Sequence, residues 1–171
     1  FFSFLFAVQS FAQDQVNQQM SEQQQHLFSL FFNEALKSRL KGDYQKSIQM
    51  YINCLKLNES STVVPFEISK ILSLESDIEN ANKFIDMALK NDDTNNKYFL
   101  DLAVSIKVSL RKYSEALSLI DKLIVLDPQD INTSIFASNI CLEQKDYDAA
   151  LSYINKIPYD PQYDNVILQN K

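Results

Sequence analysis

The feature that most constrains what this chain can fold into is a register. Four columns of residues of matched size return at steps of 34, 35 and 34. The first holds Tyr44, Ile78, Tyr113 and Tyr147, and the second Ser47, Ala81, Ala116 and Ala150. The third holds Tyr51, Ile85, Ile120 and Ile154, and the fourth Cys54, Ala88, Leu123 and Ile157. A fifth column upstream, Ala35, Ser69, Ala103 and Ser138, is small at every member and steps by 34, 34 and 35. Self-similarity at such a period marks an architecture in which each unit must bury its apolar face on its neighbours. The mismatch between the columns places one extra residue between Ala103 and Tyr113. We expect it in the turn of the third unit, because an insertion in mid-helix would rotate the apolar face by about 100°.

The units read as helical. One glycine and four prolines in 171 residues leave little material for hairpin turns or phosphate loops. With 46% hydrophobic residues the chain is far too apolar for disorder. Each unit is predicted to be two antiparallel helices of about 12 to 14 residues, a length within the usual range. Their turns are Gly42-Asp43, Ser76-Asp77, Arg111-Lys112 and Lys145-Asp146, with Asp43, Asp77 and Asp146 as N-caps of the second helices. Polar links separate the units at Asn58 to Ser61, Asn91 to Asn95, Asp127 to Asp130 and Pro158 to Pro161. Pro128 and Pro158 stop helices because proline lacks the amide donor, whereas Pro65 falls in a first turn where that donor has no partner anyway.

Gly42-Asp43-Tyr44, Ala116-Leu117 with Leu126-Asp127-Pro128, and Asp146-Tyr147 with Ala149-Ala150 carry a family resemblance. The chain resembles a run of tetratricopeptide repeats, the 34-residue helix-turn-helix family. The resemblance implies an all-α fold, a right-handed superhelical solenoid of antiparallel helix pairs whose first helices line a concave groove. Four repeats cover residues 27–160, at about 28–61, 62–95, 96–130 and 131–160. Departures from the family pattern are Ser47 in place of a small alanine, a second turn without Gly or Tyr, and an aromatic opening kept only as Phe31 and Phe99.

The ends read differently. Residues 1–12 are apolar but for Ser3, Gln9 and Ser10, end in Ser10-Phe11-Ala12 and give way to Gln13-Asp14, the pattern of the end of a secretory signal peptide. A run this short cannot span a hydrocarbon core that needs about 20 residues. The glutamine-rich stretch 13–26 reads as a solvated leader. Its end is marked by Ser21, an N-cap that Gln24 can answer in a capping box. Leu27, Phe28, Phe31, Ala35 and Leu36 then follow at helical spacing. Residues 161–171 begin a further helix, so the natural chain is expected to continue. These features point to an exported protein, periplasmic or in the cell envelope, with no membrane span in its mature part.

Candidate chemistry is thin. His26 is the single histidine, so neither a catalytic triad nor a histidine metal site can be assembled. Cys54 and Cys141 fall in the first and fourth repeats and read as two buried thiols. Asn58-Glu59-Ser60 and Asn132-Thr133-Ser134 match the glycan acceptor pattern, a frequent chance match. The net charge of −6 argues against a nucleic-acid partner. We therefore expect no enzyme and no cofactor, but a scaffold that binds a peptide or protein partner, with the N-terminal sensor or docking part of a longer chain as the alternative.

By the family's geometry the groove positions are Phe32, Leu36 and Arg39, then Phe66, Lys70 and Ser73, then Leu100, Val104 and Lys107, and last Ile135, Asn139 and Leu142. In the third repeat the extra residue leaves them open to a shift of one. Arg39, Lys70 and Lys107 among apolar neighbours suit a peptide with apolar anchors and some acidic character. The clamp by which some repeats of this family grip acidic chaperone tails is not expected: at its positions stand Phe32, Leu36, Glu67, Lys97 and Asp101, and only Lys97 matches.

Overall fold

A computed structural model of the chain describes residues 20–92 and 95–157. The expected signal peptide, the leader up to residue 19, the Pro158 stop and the helix beginning in 161–171 lie outside the described residues. Among the described residues there are eight α-helices and no strand. They are α1 (Glu22–Leu40), α2 (Tyr44–Leu57), α3 (Val63–Leu74), α4 (Ile78–Asn91), α5 (Lys97–Ser109), α6 (Tyr113–Leu126), α7 (Ile131–Glu143) and α8 (Tyr147–Asn155). The chain divides into two compact units, Phe1–Ser60 and Ser61–Lys171. The first holds the α1/α2 hairpin; in the second, the hairpins α3/α4, α5/α6 and α7/α8 follow one another, with α4 packed on α5 and α6 on α7.

The ends of the helices follow from their sequences. The Ser21 hydroxyl accepts from the Gln24 amide while the Gln24 side chain accepts from the Ser21 amide, the reciprocal box expected, so α1 starts inside the glutamine-rich stretch. Asp43, Asp77 and Asp146 each accept from an amide in the first turn of the following helix, at 3.1, 3.3 and 3.0 Å. Pro65 lies in the first turn of α3.

All four hairpins turn in the same way. Gly42, Ser76, Arg111 and Lys145 have φ of 79°, 61°, 56° and 59°, the left-handed conformation that ends a helix. After each of them the next amide reaches back to the first helix: Asp43 to Ser38, Asp77 to Leu72, Lys112 to Lys107 and Asp146 to Cys141, at 2.8 to 2.9 Å. These are Schellman turns, in which a backbone hydrogen bond satisfies a carbonyl the helix would leave unpaired.

The small columns hold each hairpin together. Ala35, Ser69, Ala103, Ser47, Ala81 and Ala116 are fully buried, and Ala150 nearly so. Where serine stands for alanine its hydroxyl is used across the pair. Ser47 donates to the Ala35 carbonyl at 2.8 Å, and Ser69 to the Ala81 carbonyl at 2.9 Å. The large columns fill the space beside them: Tyr51, Ile85, Ile120 and Ile154 are all at most 2% exposed. Each such burial contributes about 1.5 to 3 kcal/mol. In the second unit Leu100, Val104, Ile120, Leu123, Ala137, Ile140 and Cys141 form one apolar cluster joining the last two hairpins.

The turns correct one expectation. Counting back from the left-handed residue, Ala35, Ser69 and Ser138 each stand seven residues before it, and the residue seven before Arg111 is Val104, not Ala103. Burial agrees, since Lys107 falls in step with Leu72 and Cys141, all buried. The extra residue therefore lies ahead of Leu100, at or before the start of α5, and not in the turn of the third hairpin. The insertion is still taken up where a helix has not yet committed its face.

Candidate functional site

The shift by one residue decides which side chains of α5 face outward. Leu100, Val104 and Lys107, expected in the groove, are 1%, 4% and 4% exposed and belong to the interior. In step with Phe66 and Lys70 of α3 stand instead Asp101 and Ser105 of α5. These four do share one surface: an open cleft of about 510 Å³ runs between α3 and α5. Its floor is aromatic. The Phe66 and Phe99 rings stack with centroids 4.5 Å apart, and Tyr98 and Leu102 continue the lining. Tyr98, Leu102 and Ser105 are not among the expected groove residues, and Asp101 was expected only as a clamp position that does not match. The signal that finds them is the phase of the turn at Arg111, not the periodicity of the helix.

The other expected groove positions distribute as follows. Ser73 of α3 is half-buried, as are Phe32, Leu36 and Arg39 of α1 in the first unit. Phe32 packs on Phe28 at 6.0 Å and edge-on to Tyr51 at 5.4 Å, so part of its surface serves its own hairpin. On α7, Ile135 is half-buried, while Asn139 and Leu142 are exposed.

Charge in the cleft also differs from the expectation. Lys70 is committed to Glu67 at 2.9 Å and lies over the Phe66 ring at 5.2 Å. Lys107 points to the opposite side of the layer. It is gripped by Asp86 of α4 at 2.8 Å and by Glu115 of α6 at 2.7 Å, beneath a second cleft of about 390 Å³. Burial disfavours the Lys107 charge, but the hydrogen bonds it donates to both carboxylates outweigh it and hold the ammonium above its usual range. The Glu115 carboxyl is lowered chiefly by its hydrogen bond from Lys107. Lys97, the one residue matching the chaperone-tail clamp, is bound to Asp127 at 3.2 Å. In the corrected phase the clamp positions in this hairpin fall on Tyr98 and Leu102, so that match is lost as well.

Asp101 is the cleft residue left with charge to offer. No ion pair engages its carboxylate among the described residues. Its pKa is raised, first by burial and next, against that, by the pull of Lys97, with Asp130 adding to the rise. Elsewhere there is little chemistry. Cys54 and Cys141 are free, buried thiols, and burial pushes Cys54 up to about 11, so it is not a nucleophile near neutrality. His26 is exposed on α1. Among the described residues no group of acidic, His or Cys side chains could hold a metal ion, and no helix is long and apolar enough to cross a membrane.

No family model matches the sequence, and no curated protein does. Solved structures do match in shape. MamA superposes with a TM-score of 0.67 at 15% identity, covering 76% of this chain and 70% of that one. YrrB, described as a TPR protein with an unusual peptide-binding site, gives 0.66 at 15% identity, covering 82% and 72%. The first TPR of Spaghetti (RPAP3), solved bound to the HSP90 peptide SRMEEVD, gives 0.61 at 13% identity, covering 70% and 94%. With the size register, the four Schellman turns and the paired helices, these likenesses show that the chain has the tetratricopeptide-repeat fold.

Proposed function

We propose that this protein is an exported, non-enzymatic interaction scaffold that holds a segment of another protein, in a cell-envelope assembly. The observation that carries the reading is the α3/α5 cleft: a solvent-open trough with a stacked aromatic floor and polar side chains along its rim. That is the make-up of a preformed peptide site, apolar for affinity and polar for orientation. The fold supports it too, since YrrB is described as having a peptide-binding site and the Spaghetti repeat was solved with a peptide bound. Export rests on the apolar start of the chain followed by small residues.

A random peptide-display library panned on the immobilised chain tests the site. Enrichment is expected for the native chain and is expected to vanish for Ser105→Arg, which fills the cleft from an exposed helix position and leaves helicity unchanged. Equal enrichment by both would remove the cleft as the site. A fused reporter enzyme that is active only outside the cytoplasm, silent behind residues 1–30, would remove export.

A further inference from the structure

Resting on the groove reading above, we propose that the α3/α5 cleft selects segments carrying a lysine or arginine beside their apolar anchors, and turns away acidic ones. At one side of the cleft Lys70 is neutralised by Glu67, whose side chain is only 13% exposed, so no net positive charge is presented there. At the other side Lys97 lies 3.2 Å from Asp127 and 3.9 Å from Asp130, with Asp101 nearby on the same helix. Of the charged residues that line the cleft itself, Glu67, Lys70 and Asp101, two are acidic and one is basic, an excess of one negative charge. Lys107, which by its place in the sequence was the third cation for an acidic ligand, is enclosed behind the helix by Asp86 and Glu115.

Asp101 is placed to use that excess. It lines the cleft beside Tyr98, Leu102 and Ser105, while the Ser105 hydroxyl is turned away to the Asp101 backbone carbonyl at 3.1 Å, leaving the carboxylate unoccupied. An exposed carboxylate with no ion-pair partner, set beside apolar surface, is one that an incoming ammonium or guanidinium can pair with in a charge-assisted hydrogen bond. A carboxylate brought to the same place meets like charge with nothing to offset it. The exposed Tyr98 ring next to it offers a flat apolar surface on which an arginine plane can lie.

The test compares peptides enriched from a random display library by the native chain and by Asp101→Lys. Lysine and arginine are expected to be about five- to tenfold over-represented against aspartate and glutamate in the native selection, the ratio for an attractive against a repulsive pair at a partly exposed site. In the Asp101→Lys selection that bias is expected to disappear or reverse, with helicity by circular dichroism unchanged. Enriched peptides that are acidic, or indifferent to charge, or equally basic with both chains, would overturn this inference while leaving the groove reading in place. No enrichment over bare matrix would overturn the groove reading and this inference with it.

Discussion

The second and third hairpins are built alike and differ in length by a single residue at the start of the first helix, and that residue separates what the apolar pattern determines from what the turn determines. Both close on a left-handed residue, Ser76 or Arg111, and both return an amide to the first helix, to Leu72 or to Lys107. In α3/α4 the small Ser69 stands seven residues before the turn and meets its partner helix there. In α5/α6 the residue at that distance is Val104, and Ala103 beside it is buried as well. The position filled by Leu72 in one is filled by Lys107 in the other, and the lysine is tolerated because two carboxylates from flanking helices complete it. The cap differs too: Asp77 accepts from Asn80, whereas Lys112 caps nothing. Apolar size fixes that a helix is buried, and the turn fixes which side chains end up on which side.

The most direct way to break this comparison is to truncate a residue that the two phases treat oppositely. Leu100→Ala is expected to cost about 2 to 5 kcal/mol in urea unfolding, as a core truncation does. Asp101→Ala should stay within about 0.5 kcal/mol, as at an exposed site. The reverse order would restore Leu100 to the groove. A smaller effect sharpens the difference between the turns. Lys112→Asp supplies the cap that the other three hairpins have and should raise stability by about 1 kcal/mol. Its ion pair with Glu115, 3.8 Å and half-exposed, is a small loss. A decrease on unfolding would show that the third turn is held by something other than its cap. The smallest effect is at the apex: Arg111→Gly should gain about 0.5 kcal/mol by removing a side chain from a left-handed conformation, offset by the greater freedom of glycine when unfolded. A loss there would mean the arginine side chain contributes more than its backbone costs.

Much of the fold was legible in the residues. The columns around Ser47, Ala81, Ala116 and Ala150, the capping box at Ser21 and the caps at Asp43, Asp77 and Asp146 are local statements, each readable from a few neighbouring side chains. The groove of the third hairpin was not legible, for a definite reason. From Phe99 to Lys107 helix α5 is buried at Phe99, Leu100, Ala103, Val104, Ile106 and Lys107, because it packs against elements on both sides. A helix buried over so wide an arc has no single apolar stripe, and its phase can slip by one residue without changing the pattern. Lys107 misled in the same way. A lone lysine in an apolar run reads as an exposed charge until Asp86 and Glu115, 21 residues upstream and eight residues downstream, are seen to meet it.

The four left-handed turns leave the reversal of the chain to the backbone. The reversal between helices is held by amide-to-carbonyl bonds, so glycine, serine, arginine and lysine all perform it, the last three at a small backbone cost. The apex of the turn therefore carries no lettering that its neighbours must preserve. The same backbone path is shared with solved structures at identities as low as 12%.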